Sequence, residues 1–574
     1  MQDSSVMPSR LMILVALIQG LALLALHQAI EQKIWPHGEF PWLFSFYSIA
    51  IVAPLMLLLA LSEQSRRLTQ WILPYALLAA VLGFYVGNQV VPLTHIDMFP
   101  VIFPFVATMA VATFKALIYT QQLHRKEPLH YPALFQLSWR NFLVIGLSLL
   151  FTLAVWGVLM LWAALFKVIK ITLFYDVFTE SWFYYPVLAM AHGFGVIIFR
   201  QQYKVIDTIT RIQQALMKYL LILLVAVSII FLVTLPFTGL QALWDTGNGS
   251  VLILCMQGLM LFFVNAVYQD DSSERPYRLF IHRFISLGVL LLPIYSVISL
   301  YGLTLRIEQY GWTVERAWGI YIWSVFFLFS VGYVRGIVTK RDHWLESLSW
   351  VNVRMGVLVM ATLLLMNTPI LDFRKISVAS QLARVEAGQI KLDELDINYF
   401  RYHLAKPGYD ALTEIKVANA ISNPNIVKKI DSLYRSRAGT EDSLTPAQYL
   451  ETVKVREALT LPEGLVKEAH HFYVKNHWEY ENIISQHVIA IDLNNDAKLD
   501  YVFLTKYRKR IGARVFYLNG DTWKSHRLVF GNPSDDDDLS LFESLTTRNA
   551  EVTKPEWQGL KIGEHVLEVD LSAQ

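Results

Sequence analysis

Cysteine is almost absent: Cys255 is the only one in 574 residues. A single thiol excludes an intrachain disulfide and any multi-cysteine metal site. Charge is also scarce. Charged residues make up 17% of the chain, where soluble proteins carry about a quarter. The formal net charge of +2 gives no basic footprint for a polyanion, which argues against a nucleic-acid partner. No H-E-x-x-H, G-x-S-x-G, P-loop or Rossmann glycine pattern occurs, so no familiar catalytic motif is on offer. There is no solenoid or propeller repeat, and the one low-complexity stretch is the acidic run Asp535–Asp538, which reads as a solvated loop.

Apolar surface is what the chain has in excess. Hydrophobic residues reach 54% and mean hydropathy is +0.39. Apolar runs long enough to cross a hydrocarbon core of about 30 Å recur along the first part. Eleven are legible, near 11–29, 42–62, 71–87, 99–119, 142–163, 182–199, 219–237, 251–268, 284–303, 314–334 and 351–369. They lack the two-residue alternation of barrel strands, so helices are expected. The first run has no small-x-small cleavage site before Glu31 and is read as a retained span.

Charge changes character near Pro369. The first 370 residues hold 23 basic and 17 acidic residues, and the remainder 26 and 30. Within the first part, alternate span ends carry eighteen Lys and Arg, against five on the opposite ends. Basic residues stay on the cytoplasmic side. The expectation is a cytoplasmic N-terminus and, with an odd number of spans, a tail on the far side of a bacterial inner membrane, in the periplasm. The loop 164–181 places Phe166, Ile169, Phe174 and Phe178 at helical spacing beside Lys167 and Lys170. It reads either as an amphipathic helix on the outer surface or as an extension of the fifth span.

The expected fold is thus an α-helical polytopic bundle over 1–370, with a C-terminal α+β part: a helical segment over 371–482 and a small antiparallel β segment over 483–574. Ser377 is expected to cap a helix that stops at Gly388. Further helices are expected at 393–404 and 409–420, split by Lys406-Pro407-Gly408, and at 424–436 and 445–459. Strands are expected at 487–491, 500–505, 513–518 and 523–530, with Asn519-Gly520-Asp521 as a hairpin turn.

The loop from Asp492 to Asp500 carries recognisable chemistry. Asp492, Asn494, Asp496 and Asp500 stand at positions 1, 3, 5 and 9, and the Lys498 carbonyl at position 7 adds an oxygen. A hard cation such as Ca²⁺ needs six to eight converging oxygens. Position 6 calls for φ > 0, which Ala497 takes at a cost of about 1 kcal/mol. The competing reading is an Asx-rich turn whose side chains cap their own backbone. A histidine-rich stretch, His470, His471, His477 and Glu479, fits no common zinc spacing.

Polar residues inside spans mark transport paths or helix packing. Here they are Gln19, His27, Lys115, His192, Gln257 and Asn265, of which Lys115 is near enough to the cytoplasmic end to snorkel. His192 stands beside Gly193 and Gly195, where small residues let helices approach closely and the imidazole can bridge two of them. No span has Asp or Glu at its centre, which argues against a carboxylate proton relay. Against the charge bias, Arg306 and Arg316 lie on the outer side with Glu308 and Glu315. The pattern predicts a helix stopped at Gly311 and a new one capped by Thr313, with Glu315 in its first turn. These arginines are candidates to pair with the two glutamates, dock the tail or hold lipid phosphate.

Arg306-Ile307-x-Gln309-Tyr310-Gly311-Trp312-Thr313-x-x-Arg316 resembles the hallmark of the bacterial domain-of-unknown-function family 4153. Three other stretches are similar to the same family and occur in order. They are Leu165-Phe166-Lys167 running to Trp182-Phe183, then Val264-Asn265-Ala266-Val267-Tyr268-Gln269-Asp270. The third is Ile376-Ser377-Val378-Ala379-Ser380-Gln381, followed by Arg384, Gly388, Asp396, Gly408 and Ala411-Leu412. The resemblance implies a multi-pass inner-membrane protein with an extracytoplasmic tail, and brings no activity, substrate or catalytic residue. The leading functional expectation is a non-enzymatic envelope protein whose periplasmic part binds an ion, a lipid or a protein partner. The alternative is a transporter or lipid-handling protein, which a polar cavity lined by His192, Asn265 or Lys115 would favour. A weaker one is an integral-membrane enzyme acting on lipid or cell-wall precursors, with its groups near Arg306, Glu308, Glu315 and Arg316.

Overall fold

The structure, a computed structural model, describes residues 9–60, 65–93, 95–124, 129–268, 276–435, 446–451, 453–455, 459–475, 483–494, 496–507, 510–520, 522–528, 541–547, 560–562 and 565–567. The run Asp535–Asp538, His477 and Glu479 lie outside the described residues. The chain forms two compact units, 1–430 and 431–574.

The first unit is helical. Its helices are α1 (Ser9–Glu31), α2 (Phe40–Ala60), α3 (Ser65–Asn88), α4 (Phe99–His124), α5 (Tyr131–Val168), α6 (Leu173–Thr179), α7 (Ser181–Gln201), α8 (Tyr203–Thr238), α9 (Gln241–Asp245), α10 (Gly249–Val267), α11 (Leu279–Leu290), α12 (Leu292–Tyr310), α13 (Val314–Lys340) and α14 (Leu345–Met366). Eleven helical segments among the described residues are long and apolar enough to cross a membrane. They coincide with the eleven apolar runs of the sequence. Segment 279–310 is α11 followed by α12, broken where Pro293 enters the first turn of α12. Proline has no amide to donate and cannot continue a helix smoothly.

Two apolar cores hold this unit. Met56, Leu58, Ala79 and Val196 belong to one, built from the earlier helices. Leu221, Val264, Val289 and Tyr333 belong to the other, built from the later ones. Ile118 and Tyr119 of α4 pack with Leu134 and Leu137 of α5 and with Val353 of α14, so α4, α5 and α14 meet between the two cores. The extension reading of loop 164–181 is realised as far as Val168, and a separate short helix follows. α5 runs on to Val168, the chain turns at Lys170 with φ 65°, and the short α6 folds back so that Phe174 contacts Trp162 and Phe166.

Beyond α14 come α15 (Phe373–Glu386), α16 (Ile397–His403), α17 (Ala405–Ala418) and α18 (Pro424–Arg435). The cap of α15 is Asp372, whose carboxylate accepts the Arg374 amide at 3.0 Å, and not Ser377, which is buried one turn inside. The helix stops where expected, with Gly388 at φ 70°. Lys406-Pro407-Gly408 opens α17 and does not precede it. A proline in the first helical turn removes an amide that has no partner there anyway.

The second unit is α+β: α19 (Pro446–Glu451), β1 (Val453–Val455), α20 (Glu463–Lys475), β2 (Ile483–Ile491), β3 (Asp500–Tyr507), β4 (Ile511–Asn519), β5 (Thr522–Leu528), α21 (Leu541–Thr547), β6 (Leu560–Ile562) and β7 (His565–Leu567). β2 to β5 are consecutive antiparallel neighbours. β1 departs from expectation: 453–455 is a strand rather than helix, and it pairs parallel to β2. A parallel pair needs a crossover, which α20 supplies. Side chains of β3 alternate between two clusters. Tyr501 and Phe503 pack with Leu465 and Tyr473, and Val502 and Leu504 pack with Phe542. Gly520, at φ 62°, turns β4 into β5 as the sequence predicts.

Candidate functional site

Three places gather the candidate residues. The first is the turn between α12 and α13. Gly311 ends α12 at φ 74°, in the left-handed region that favours glycine. A Cβ there would also come within 2.8 Å of Arg384 Cδ and 2.9 Å of Gln381 Nε2. Thr313 caps α13 by accepting the Arg316 amide at 3.3 Å, as predicted. α15 then binds the turn's backbone. The Trp312 amide donates to Ser380 Oγ at 3.0 Å, and Ser377 Oγ donates to the Trp312 carbonyl at 3.2 Å. Gln381 Nε2 donates to the Tyr310 and Trp312 carbonyls, both at 3.0 Å. Arg384 Nη2 donates to the Gln309 carbonyl at 2.8 Å. From α16, Tyr399 Oη accepts the Val314 amide at 2.8 Å and donates to Glu315 Oε2 at 3.3 Å. Burial pushes the Tyr399 phenol up.

The charged residues of this turn act locally. Arg316 Nη1 donates to the Gly311 carbonyl at 2.6 Å and its guanidinium lies over the Tyr310 ring, which Arg306 also faces. Glu315 faces His403 at 3.9 Å. Among the described residues, neither arginine forms an ion pair with Glu308 or Glu315. Asp372 anchors the start of α15 nearby. It accepts Arg374 Nε and Nη2, both at 2.8 Å, and Tyr85 Oη at 2.9 Å. Burial alone would raise this carboxyl. The Arg374 charge and these hydrogen bonds outweigh it and hold Asp372 below its ordinary value.

The second place is a cavity of about 340 Å³ bounded by α4, α5, α10, α13 and α14. Lys115, Tyr119, Tyr131, Ser138, Asn265 and Asn352 line it together with apolar side chains. It lies toward the other end of the bundle. The first turns of α4 share a small space with Asp372 and Arg374, whereas Lys115 stands much farther along that helix. Asn265 Oδ1 accepts Tyr333 Oη at 2.9 Å and Tyr131 Oη at 3.2 Å, and also Asn352 Nδ2. Its own amide donates to the Leu261 carbonyl at 2.8 Å. Tyr333 Oη also lies against Asn352 Oδ1. Among the described residues, Lys115 has no hydrogen bond and no ion pair.

The remaining span residues sit apart from this cavity. His192 makes no hydrogen bond among the described residues, so it bridges no helices there. Its glycine neighbours do permit close approach: a Cβ on Gly193 would reach 2.5 Å from Ala16 Cβ, and one on Gly195 3.0 Å from Ser148. His27 faces Glu31 at 3.2 Å. Gln257 donates to Ser296 and Ser330 at 2.7 and 2.9 Å. The sequence reading missed Tyr131, Tyr333 and Asn352. Their signal is only a polar group near a span end, which interfacial residues share.

The third place is the loop between β2 and β3. Asp492 accepts the Asp496 and Ala497 amides at 3.3 and 3.0 Å, and Asp496 accepts the Lys498 amide at 2.9 Å. Asn494 Oδ1 accepts the Asp496 amide and Asp500 Oδ2 the Leu493 amide, both at 3.0 Å. Ala497 stands at φ 61°, the conformation the pattern asks of position 6. No group of three or more His, Cys, Asp or Glu among the described residues is arranged to hold a metal ion. The observed bonds are those of an Asx-rich turn.

The family described as Domain of unknown function (DUF4153) matches residues 13–415. No curated protein matches the chain, and no solved structure does. The matched span takes in the Gly311 turn, α15, α16 and the cavity.

Proposed function

The chain belongs to the DUF4153 family, and from that premise we propose that it is a non-enzymatic membrane protein whose helical bundle binds and handles a lipid or a similar ligand. It lies in a bacterial inner membrane, with its N-terminus cytoplasmic and its C-terminal unit periplasmic. One observation carries the reading. Lys115 and Asn265, two of the polar residues that stand inside spans, line one cavity between the two apolar cores. Polar side chains inside a bilayer are costly and mark functional paths, and pockets between helices of a bundle are common ligand sites. The test uses the full chain in lipid nanodiscs. Native mass spectrometry is expected to find an amphiphile retained by the wild type and lost in Ser138→Phe, which fills the cavity. A wild type that retains nothing removes the reading.

The groups that an enzyme at the Gly311 turn would need are committed elsewhere. Arg316 holds a carbonyl and Glu315 a tyrosine hydroxyl, which favours a joint over a reaction centre.

A second reading concerns the C-terminal unit, as a binder of Ca²⁺ or an envelope partner. The left-handed Ala497 at position 6 of the loop supports it. Asp492, Asn494, Asp496, Asp500 and the Lys498 carbonyl would supply the oxygens. Millimolar Ca²⁺ is expected to raise the unfolding temperature of this unit within the full chain. The absence of any shift rules the ion out.

A further inference from the structure

Lys115 is held by α4 at the wall of the 340 Å³ cavity, and no described residue answers its charge. Its side chain is half-buried, and an ammonium group partly withdrawn from water with no counter-charge is costly. No acidic side chain lines the cavity. The carboxamide oxygen of Asn265 is already occupied by Tyr131, Tyr333 and Asn352. The Ser138 and Tyr119 hydroxyls on the wall donate to backbone carbonyls, and Leu134, Phe135, Met355 and Val359 make much of the rest apolar. Phe262 belongs both to this wall and to the bundle surface, where it is 49% exposed. The site therefore offers one cation, hydroxyl and amide groups beside it, and a hydrocarbon wall that reaches the lipid-facing side at Phe262.

We propose that the cavity binds an anionic amphiphile, its phosphate or carboxylate head at Lys115 and its chain along Leu134, Phe135 and Phe262. This rests on the reading of the bundle as a binding body, and adds the charge class and the residue that selects it. The counter-ion that Lys115 lacks is then carried by the ligand. Neutral lipid of the same shape leaves the ammonium unanswered and binds more weakly.

The experiment uses the full chain in nanodiscs of equal phosphatidylcholine and phosphatidylglycerol. The basic ends of the spans attract anionic lipid from solution-facing positions, so the measurement is made at high salt. Screening removes exposed pairs and spares buried ones. Native mass spectrometry is expected to find phosphatidylglycerol retained about tenfold over phosphatidylcholine. Lys115→Met abolishes the preference and Lys115→Arg keeps it. A second arm replaces phosphatidylglycerol by free glycerol 3-phosphate and follows the unfolding temperature. A rise there that Lys115→Met abolishes identifies a soluble oxyanion as the source; a response to phosphatidylglycerol alone identifies the lipid headgroup. Unselective retention by the wild type overturns the proposal, as does an unchanged preference in a folded Lys115→Met. If Ser138→Phe expels the amphiphile while Lys115→Met leaves its identity unchanged, the binding body stands and the anion falls. If neither substitution alters what is retained, both fall. Should Lys115→Met not fold, the wild-type preference and its loss in Ser138→Phe decide the matter.

Discussion

The two ends of the helical bundle handle buried polarity in opposite ways. At the Gly311 turn every carbonyl from Gln309 to Trp312 that the turn leaves unbonded finds a donor: Arg384, Gln381, Arg316 or Ser377. The Asp372 carboxylate there is matched by Arg374 and Tyr85. Toward the other end, Asn265, Tyr131, Tyr333 and Asn352 satisfy one another, but Lys115 beside them is answered by no described residue. A saturated joint resists change, because loss of one partner strands the other. An unsaturated cation beside a cavity accepts a partner from outside. The comparison thus separates a part that holds the molecule together from a part that is open to a ligand.

Substitutions can break this contrast, and the largest effect is expected where a buried charge loses its partner. Arg374→Ala takes away the counter-charge of Asp372 and leaves it only the Tyr85 hydroxyl and the residue 374 amide, and thermal unfolding in detergent should show a loss approaching about 3–5 kcal/mol. A loss under about 1 kcal/mol would mean that solvent reaches the carboxylate and that the joint is a surface pair.

Acid probes the same group without mutation. Asp372 is held below its ordinary value in the folded protein. Its contribution is therefore complete above the unfolded value near pH 4 and is lost as pH falls through the lower folded value. Unfolding temperature should drop in that acid window, and the drop should be missing in Asp372→Asn. An equal drop in both proteins assigns the acid sensitivity to other carboxylates.

Gly311→Ala is expected to cost less, about 1–3 kcal/mol for a side chain at φ 74° and ψ 179°, a region almost confined to glycine, with a further loss as Gln381 and Arg384 give way. Faster amide exchange confined to α15 and the turn would mark the joint as loosened. Exchange rising evenly through the bundle would deny that the effect is local.

Lys115→Met sharpens the comparison through its sign. Removal of an unpaired, half-buried cation should leave stability in neutral lipid unchanged or raise it slightly. A loss comparable to that of Arg374→Ala would show that Lys115 already has a partner, and the two ends would then be alike.

The stretches that resemble the DUF4153 family gain a physical meaning from the fold. Arg306–Arg316 and Ile376–Arg384 are the two faces of one joint, although fifty-nine residues separate them in the chain. Asn265 is the acceptor at the centre of the polar network, and Phe166 and Phe183 join the aromatic cluster around α6. Local signals were legible at this joint. Gly311 was readable as a helix stop and Thr313 as a cap, because both depend on backbone geometry within one turn. The cap bond of Asp372 to the Arg374 amide is equally local, but Ser377 offered a rival cap one turn later; the bond of Asp372 to Tyr85, 287 residues away, was not legible. β1 was missed because three residues give no alternation to read, and its parallel pairing exists only once α20 has crossed over.

The amino-acid sequence by itself determined the membrane class, the eleven apolar segments and the switch to strands near Ile483. Each follows from side-chain hydrophobicity at the spacing of one helix or one strand. The tertiary structure alone decided that Ser377 and Gln381 serve the Gly311 turn, that Arg316 spends its guanidinium on a carbonyl, and that Lys115 meets Asn265 across a cavity. Those outcomes depend on which helix faces approach one another, and no periodicity within a single segment carries that information.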